Sequence, residues 1–438
     1  MKILKSPVLP LLVLATGMCF GVLRSEDYDE DPIRYSATAA DDPVARLVQR
    51  LDSGAVKLHW DENHGWLPSL LEALHIPTSS QVLVFSKTSL QRERIMPERP
   101  RALYFNDEVY VGTVQNGAVL EIASTDPRQG TMFYVLPISR QPTPSPRRET
   151  QECLQCHDSN AFTGGVPGMM MRSVYPDADG RPILTAGSYI TDQRTPLAQR
   201  WGGWYVTGTT ADGVHMGNQI FTANVTPETI ERKHGSNLTT VADLLDVSPY
   251  LTPHSDVVAL MVLSHQLQMH NLITRASFET RRALRDDFVM NNALGRPPEF
   301  RSETTTRRIA SVGEALLRYM LYVDEAALSG PVRGTSDFAK EFATKGPRDP
   351  QGRSLREFDL QRRLMHYPLS HLIYSEAFDA LPPAVRNYVL ERLLTVLTTI
   401  IDNESFAHLS PSDRRAILEI LVATKPGLPP GFAAALGR

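Results

Sequence analysis

Two apolar rhythms divide this chain, and one kind of element cannot carry both. Residues 101–124, RALYFNDEVYVGTVQNGAVLEIAS, alternate apolar and polar side chains around FND and QNG, and GTMFYVLPIS at 130–139 continues the alternation. A period of two with turn residues between the runs predicts an antiparallel meander. Beyond Pro253 the rhythm changes. SDVVALMVLSHQLQMHNLITRASFETRRAL (255–284) opens on a Ser/Asp cap and is apolar nearly all round, which predicts a buried helix. RRIASVGEALLRYMLYV, PAVRNYVLERLLTVLTTII and SPSDRRAILEILVAT follow as capped amphipathic helices.

The expected class is therefore α+β. An α/β unit at 45–140 holds the meander, preceded by helical segments within 41–75. A Pro-rich linker at 141–150 leads to a loop-rich segment at 151–225, and a mainly helical unit occupies 254–438. The middle segment is rich in Gly and aromatics, as in FTGGVPGMMM and RWGGWYVTGTTADGVHMGN. Glycines there permit close backbone approach to a flat ligand. DADG at 177–180 lacks the twelve-residue pattern of a calcium loop and is expected to be a hairpin turn.

A length of 438 residues favours two or three domains, and the formal charge of -4 lacks the basic footprint that nucleic-acid binding needs. The N-terminus says more. Lys2 and Lys5 precede the apolar run SPVLPLLVLATGMCFGVL, which ends at Leu23 before acidic SEDYDEDP. This is the pattern of an export signal or, since no small-x-small triplet closes the run, of an N-terminal membrane anchor over 1–23. Met18 is too bulky to precede a lipidated Cys19. Either way the expected location is the periplasm, with possible anchoring to the inner membrane.

Cysteine use sharpens the reading. Of three cysteines, Cys19 lies in the leader, so the exported part has only Cys153 and Cys156, too few for a disulfide framework. They stand in ETQECLQCHDSN (149–160), and Cys153-Leu154-Gln155-Cys156-His157 matches C-x-x-C-H, the attachment signature of haem c. Each thiol can add across one haem vinyl group, and the adjoining His157 becomes the proximal iron ligand. Shuffling this composition would produce the pattern in roughly 4 of 10,000 chains. A zinc site would want a second Cys pair, and a thioredoxin-like motif would follow a strand in a βαβ unit rather than a Pro-rich basic stretch.

Residues 153–157 thus resemble the binding motif of c-type cytochromes. The resemblance covers this motif and its export context alone, and implies one covalent haem c with His157 as axial ligand. The surrounding sequence does not resemble a small all-helical cytochrome domain, and points to a poorly characterised class of exported single-haem proteins.

The other axial position decides between functions. On the buried helix, His265 shares a face with Val258, Met261, Met269 and Leu272, and is the expected distal ligand. His270, on the face of Leu260, Leu263 and Leu267, is an alternative. His215 with Met216, the run Met169–Met171, His366 and His371 also compete. Arg200 and Trp201, with Trp204, suit a propionate and a ring edge, or else belong to an ordinary strand. The first functional expectation is electron transfer to a redox partner protein. The alternative is a haem c-dependent oxidoreductase of peroxidase, oxidase or dehydrogenase type, whose extra domains shape a pocket for a small-molecule substrate.

Overall fold

The computed structural model describes residues 27–226, 228–230, 235–399 and 404–437. The leader expected at 1–23, Cys19 included, lies outside the described residues. What is described is α+β, with the sheet in the N-terminal part and helices dominating the C-terminal half.

Helix α1 (Pro43–Asp52) starts where Asp42 Oδ1 accepts from the amides of Val44 (2.9 Å) and Ala45 (3.3 Å), a cap worth about 1 kcal/mol. Helix α2 (Leu67–Ala73) follows, then the strands β1 (Val82–Val84), β2 (Arg101–Phe105), β3 (Val109–Thr113), β4 (Val119–Asp126), β5 (Gly130–Pro137) and β6 (Arg147–Glu149). These pair antiparallel in chain order, with Val111 opposite Ile122 and Ala123 opposite Phe133. The turns obey local chemistry. Asn106 Oδ1 accepts from the amides of Glu108 (3.0 Å) and Val109 (2.8 Å) in FND, and Asn116 takes a left-handed φ of 56° in QNG.

One expectation is corrected by β6. The Pro-rich stretch at 141–150 is not only a linker: its last residues add the sixth strand, Glu149 opposite Phe133. Prolines at 142, 144 and 146 stop short of the paired residues, so no ladder amide is lost. The sheet therefore runs directly into α3 (Leu154–His157), a single helical turn. The hairpin β7 (Arg172–Val174) and β8 (Ser188–Ile190) comes next, with the expected turn at 177–180 between its arms.

Helix α4 (Val257–Leu294) is the spine. Asp256 caps it through Oδ1 (Val258 amide, 2.8 Å), while Oδ2 accepts from the amides of Thr335 (2.7 Å) and Ser336 (2.8 Å). After it come α5 (Glu303–Met320), α6 (Phe338–Thr344), α7 (Glu376–Asp379), α8 (Pro383–Thr398), α9 (Pro411–Thr424) and α10 (Gly431–Ala434). Two hydrophobic cores result, and they cut across the boundaries expected from sequence. The first joins the sheet to residues 154–206 and to the α4 segment Val257–Leu267, and the second joins Met269, Ile273 and Ala276 to α5, α8 and α9. A helix apolar on every side must be covered on every side, so α4 belongs to both.

Candidate functional site

The sequence of α3 places Cys153 at its N-cap, Cys156 three residues on and His157 four on. Residues spaced by three and four share a helix face, so both thiols and the imidazole crowd onto one side of one turn. The turn follows β6 and rests on the sheet: the His157 ring lies 4.9 Å from the Phe133 ring of β5. Cys153 and Cys156 are free thiols, Cys153 half-buried and Cys156 exposed.

The two imidazole nitrogens of His157 have different surroundings. Nδ1 donates to the Gly168 carbonyl at 2.9 Å, which makes Nε2 the lone-pair nitrogen. Nε2 has no hydrogen-bond partner among the described residues. Burial lowers the His157 pKa, partly opposed by the Gly168 carbonyl, so the neutral ring that a metal requires is favoured.

The Gly168 carbonyl is itself held from a distance. Asn271 on α4 accepts from the Met169 amide (3.1 Å) and donates to the Met169 carbonyl (2.7 Å), clamping the residue next to Gly168. A Cβ on Gly168 would stand 2.2 Å from Asn271 Oδ1, so only glycine lets the loop approach this closely. Neither Asn271 nor Phe133 was legible as a site residue. The first lies more than a hundred positions from the motif and the second reads as ordinary strand core.

The electrostatics separate the possible uses of two neighbouring thiols. Burial, followed by the charges of Glu121, Glu149 and Glu152, pushes the Cys153 thiol up to about 11. Redox-active C-x-x-C pairs depend on the opposite shift, toward a stable thiolate. Glu121 is itself held by Arg101 at 2.6 Å, the pair spanning Gly112 of the intervening strand. A Cβ on Gly112 would stand 2.4 Å from the Arg101 guanidinium. Among the described residues, no three His, Cys, Asp or Glu side chains gather as a metal-ion site. Two neighbouring thiols beside a neutral imidazole with a free Nε2 fit covalent attachment of a porphyrin, with the histidine as iron ligand.

The remaining candidates lie elsewhere. His265 does not offer a ligand. Its Nδ1 is 2.5 Å from Gln193 Oε1 and its Nε2 is 2.8 Å from Ser370 Oγ. Its ring is stacked on Tyr322 (4.6 Å) and Tyr319 (5.5 Å). The expectation of a distal ligand there is corrected: helix periodicity finds the buried face but not what fills it. His270 Nε2 donates to the Asp107 carbonyl (2.8 Å), which leaves its buried Nδ1 without a hydrogen-bond partner, and His371 pairs with Asp107 Oδ1 at 3.6 Å. His215 Nδ1 accepts from the Gly217 amide (3.0 Å), and the Met216 sulfur takes the Ser173 hydroxyl (3.8 Å). The backbone of Met169 lies on the Nδ1 side of the His157 ring, whereas a distal ligand must approach beyond Nε2.

Arg200 and Trp201 also fall outside the α3 turn. Arg200 is buried and donates to the carbonyls of Thr195 (2.6 Å) and Gln193 (2.9 Å), and burial pulls its pKa down to about 10. Trp201 is fully buried with a left-handed φ of 69°, its ring edge on His215 at 5.9 Å. Through Gln193, Arg200 belongs to the His265 network and does not contact the α3 turn. The propionate role expected of it is therefore replaced by an internal one.

No family model, no curated protein and no solved structure matches this chain.

Proposed function

We propose that this chain is an exported haem c protein that transfers single electrons through one haem held by Cys153, Cys156 and His157. The observation that carries the reading is the asymmetry of His157. Its Nδ1 is fixed on the Gly168 carbonyl and its Nε2 is left free on the same helical face as two unoxidised thiols.

The bound group would supply a one-electron ferric/ferrous couple. The chain's own residues have three tasks. Cys153 and Cys156 tether, and the raised pKa of the Cys153 thiol disfavours the thiolate that disulfide pairing needs. His157 ligates, oriented by Gly168 and Phe133. Asn271 keeps the Gly168 carbonyl in place from α4. The apolar N-terminal run supports export, because thioether attachment requires the compartment outside the cytoplasm.

The test is a pyridine haemochrome spectrum on denatured protein exported alongside competent haem-attachment machinery. The native chain should give a thioether-bound signal, and Cys156→Ala a single-thioether form. Colourless native protein with both thiols intact would end the reading.

A second reading, a haem c-dependent oxidoreductase, is favoured by one observation: both nitrogens of His265 and the Met216 sulfur are engaged elsewhere, which leaves neither as distal ligand. A high-spin ferric spectrum that shifts with cyanide would select it. A low-spin spectrum indifferent to cyanide would select the carrier.

A further inference from the structure

The polarity of the molecule inverts at one place, the hairpin tip where α4 turns into α5. Between residues 285 and 301 the buried side chains are polar, Asp287 and Asn291, while Phe288, Val289, Met290, Leu294 and Phe300 are 42–54% exposed. The polar pair has a structural task. Asp287 Oδ2 accepts from the Ser302 amide (3.0 Å), and Asn291 Nδ2 donates to the Phe300 carbonyl (2.9 Å), which closes the tip rigidly. A soluble surface rarely collects five large apolar side chains around a polar interior, so such a tip belongs in an apolar medium.

We propose that this tip inserts into the interface of a lipid bilayer bearing anionic headgroups. Three observations favour lipid over a protein partner. Phe288, Val289 and Met290 are consecutive, so at about 100° per residue they point around most of the helix. A flat partner covers one side of a helix end, whereas a bilayer surrounds a projecting tip. Second, arginines stand among these side chains: Arg296 lies 5.0 Å from the Phe300 ring, and Arg301 donates to the carbonyls of Pro298 and Phe300 (3.3 Å each). Cations beside aromatic and aliphatic groups are what an interfacial segment presents to headgroups.

Third, an early segment of the described chain packs beside the tip, a few residues after the N-terminal apolar run ends in the sequence. Arg285 pairs with Asp31 (3.8 Å) and Arg281 donates to the Pro32 carbonyl (2.8 Å), so residues 31–32 lie against α4 beside the tip. The run ends at Leu23, four residues before Asp27, and four residues span at most about 14 Å. No helix among the described residues is long and apolar enough to cross a membrane, so the tip would lie in the interface rather than span. This inference is independent of the haem assignment.

The full chain carrying Phe288→Trp should lose fluorescence, about two-fold, on binding phosphatidylcholine–phosphatidylglycerol vesicles with brominated acyl chains. The unsubstituted chain gives the background of Trp60, Trp66, Trp201 and Trp204. Leu244→Trp, equally exposed but near the opposite end of α4, should not be quenched. Arg296→Glu with Arg301→Glu should weaken the Phe288→Trp quenching. Failure to bind, equal behaviour of the two tryptophan probes on bound protein, or concentration-dependent shielding of Phe288→Trp without lipid would each overturn the proposal. Intact mass reports whether residues 1–23 are present. Quenching that persists without them supports the tip on its own, and quenching that disappears with them overturns it.

Discussion

His157 and His265 are both shielded histidines with lowered pKa values, yet they differ in what they leave available. His157 rests on a one-turn helix at the sheet edge, one nitrogen held by a backbone carbonyl and the other free. His265 sits inside α4 with both nitrogens bonded and a tyrosine ring stacked on it from either of two neighbours. The lesson is that a ligand needs an unused lone pair. A histidine whose hydrogen bonds are complete is part of the core, whatever its helical face.

The sharpest way to break this contrast is to remove the thiols. Cys153→Ala with Cys156→Ala should abolish covalent haem, while His265→Ala should leave haem per folded molecule unchanged in a haemochrome assay. Haem loss from folded His265→Ala would return that residue to the site.

The next largest effect concerns stability. His265→Ala removes a stacked ring and strands Gln193 and Ser370, which should cost about 4 kcal/mol in denaturant unfolding. His157→Ala, on a half-buried turn with one hydrogen bond, should cost about 1 kcal/mol. Equal losses would erase the distinction.

Acid should expose the same difference. His215 and His270 are pushed from 6.5 to about 4 by burial, while Glu108 and Glu325 are pushed from 4.5 to about 7, also by burial. A lowered histidine pKa gives stability that is complete above about 6.5 and lost as pH falls toward the folded value. A raised glutamate pKa does the reverse, gaining stability as pH falls from about 7. These four roughly cancel. His157, His265, His371 and His408 remain, all lowered chiefly by burial, so the thermal midpoint should fall as pH drops below about 6.5. His265→Ala should flatten that fall by about one proton, and a midpoint flat in pH would contradict the burial of these rings.

The smallest effect refines the His157 side. Asn271→Ala should cost about 2 kcal/mol by stranding the Met169 amide and carbonyl. It should also shift the reduction potential in voltammetry, since the Gly168 carbonyl would lose its support. An unchanged potential would make Asn271 a packing residue only.

Much of the fold was legible because local rules carried it: alternation built β2 to β5, Asn106 and Asn116 made their turns, and Asp256 opened α4. The strand at 147–149 was not, since three residues beside prolines carry no period. Arg200 and Trp201 were misplaced because a residue's neighbours along the chain do not disclose its partners across it.

By itself the sequence determined the α+β class and set Cys153, Cys156 and His157 three and four positions apart, because both are written in spacing that a single helix turn or strand enforces. Tertiary structure alone decided that His265 has both nitrogens engaged while His157 keeps Nε2 free, and that Asn271 reaches back to steady the loop beside His157. Those outcomes depend on where distant hydrogen-bond partners arrive, and hydrogen bonds act over about 3 Å of space regardless of separation along the chain.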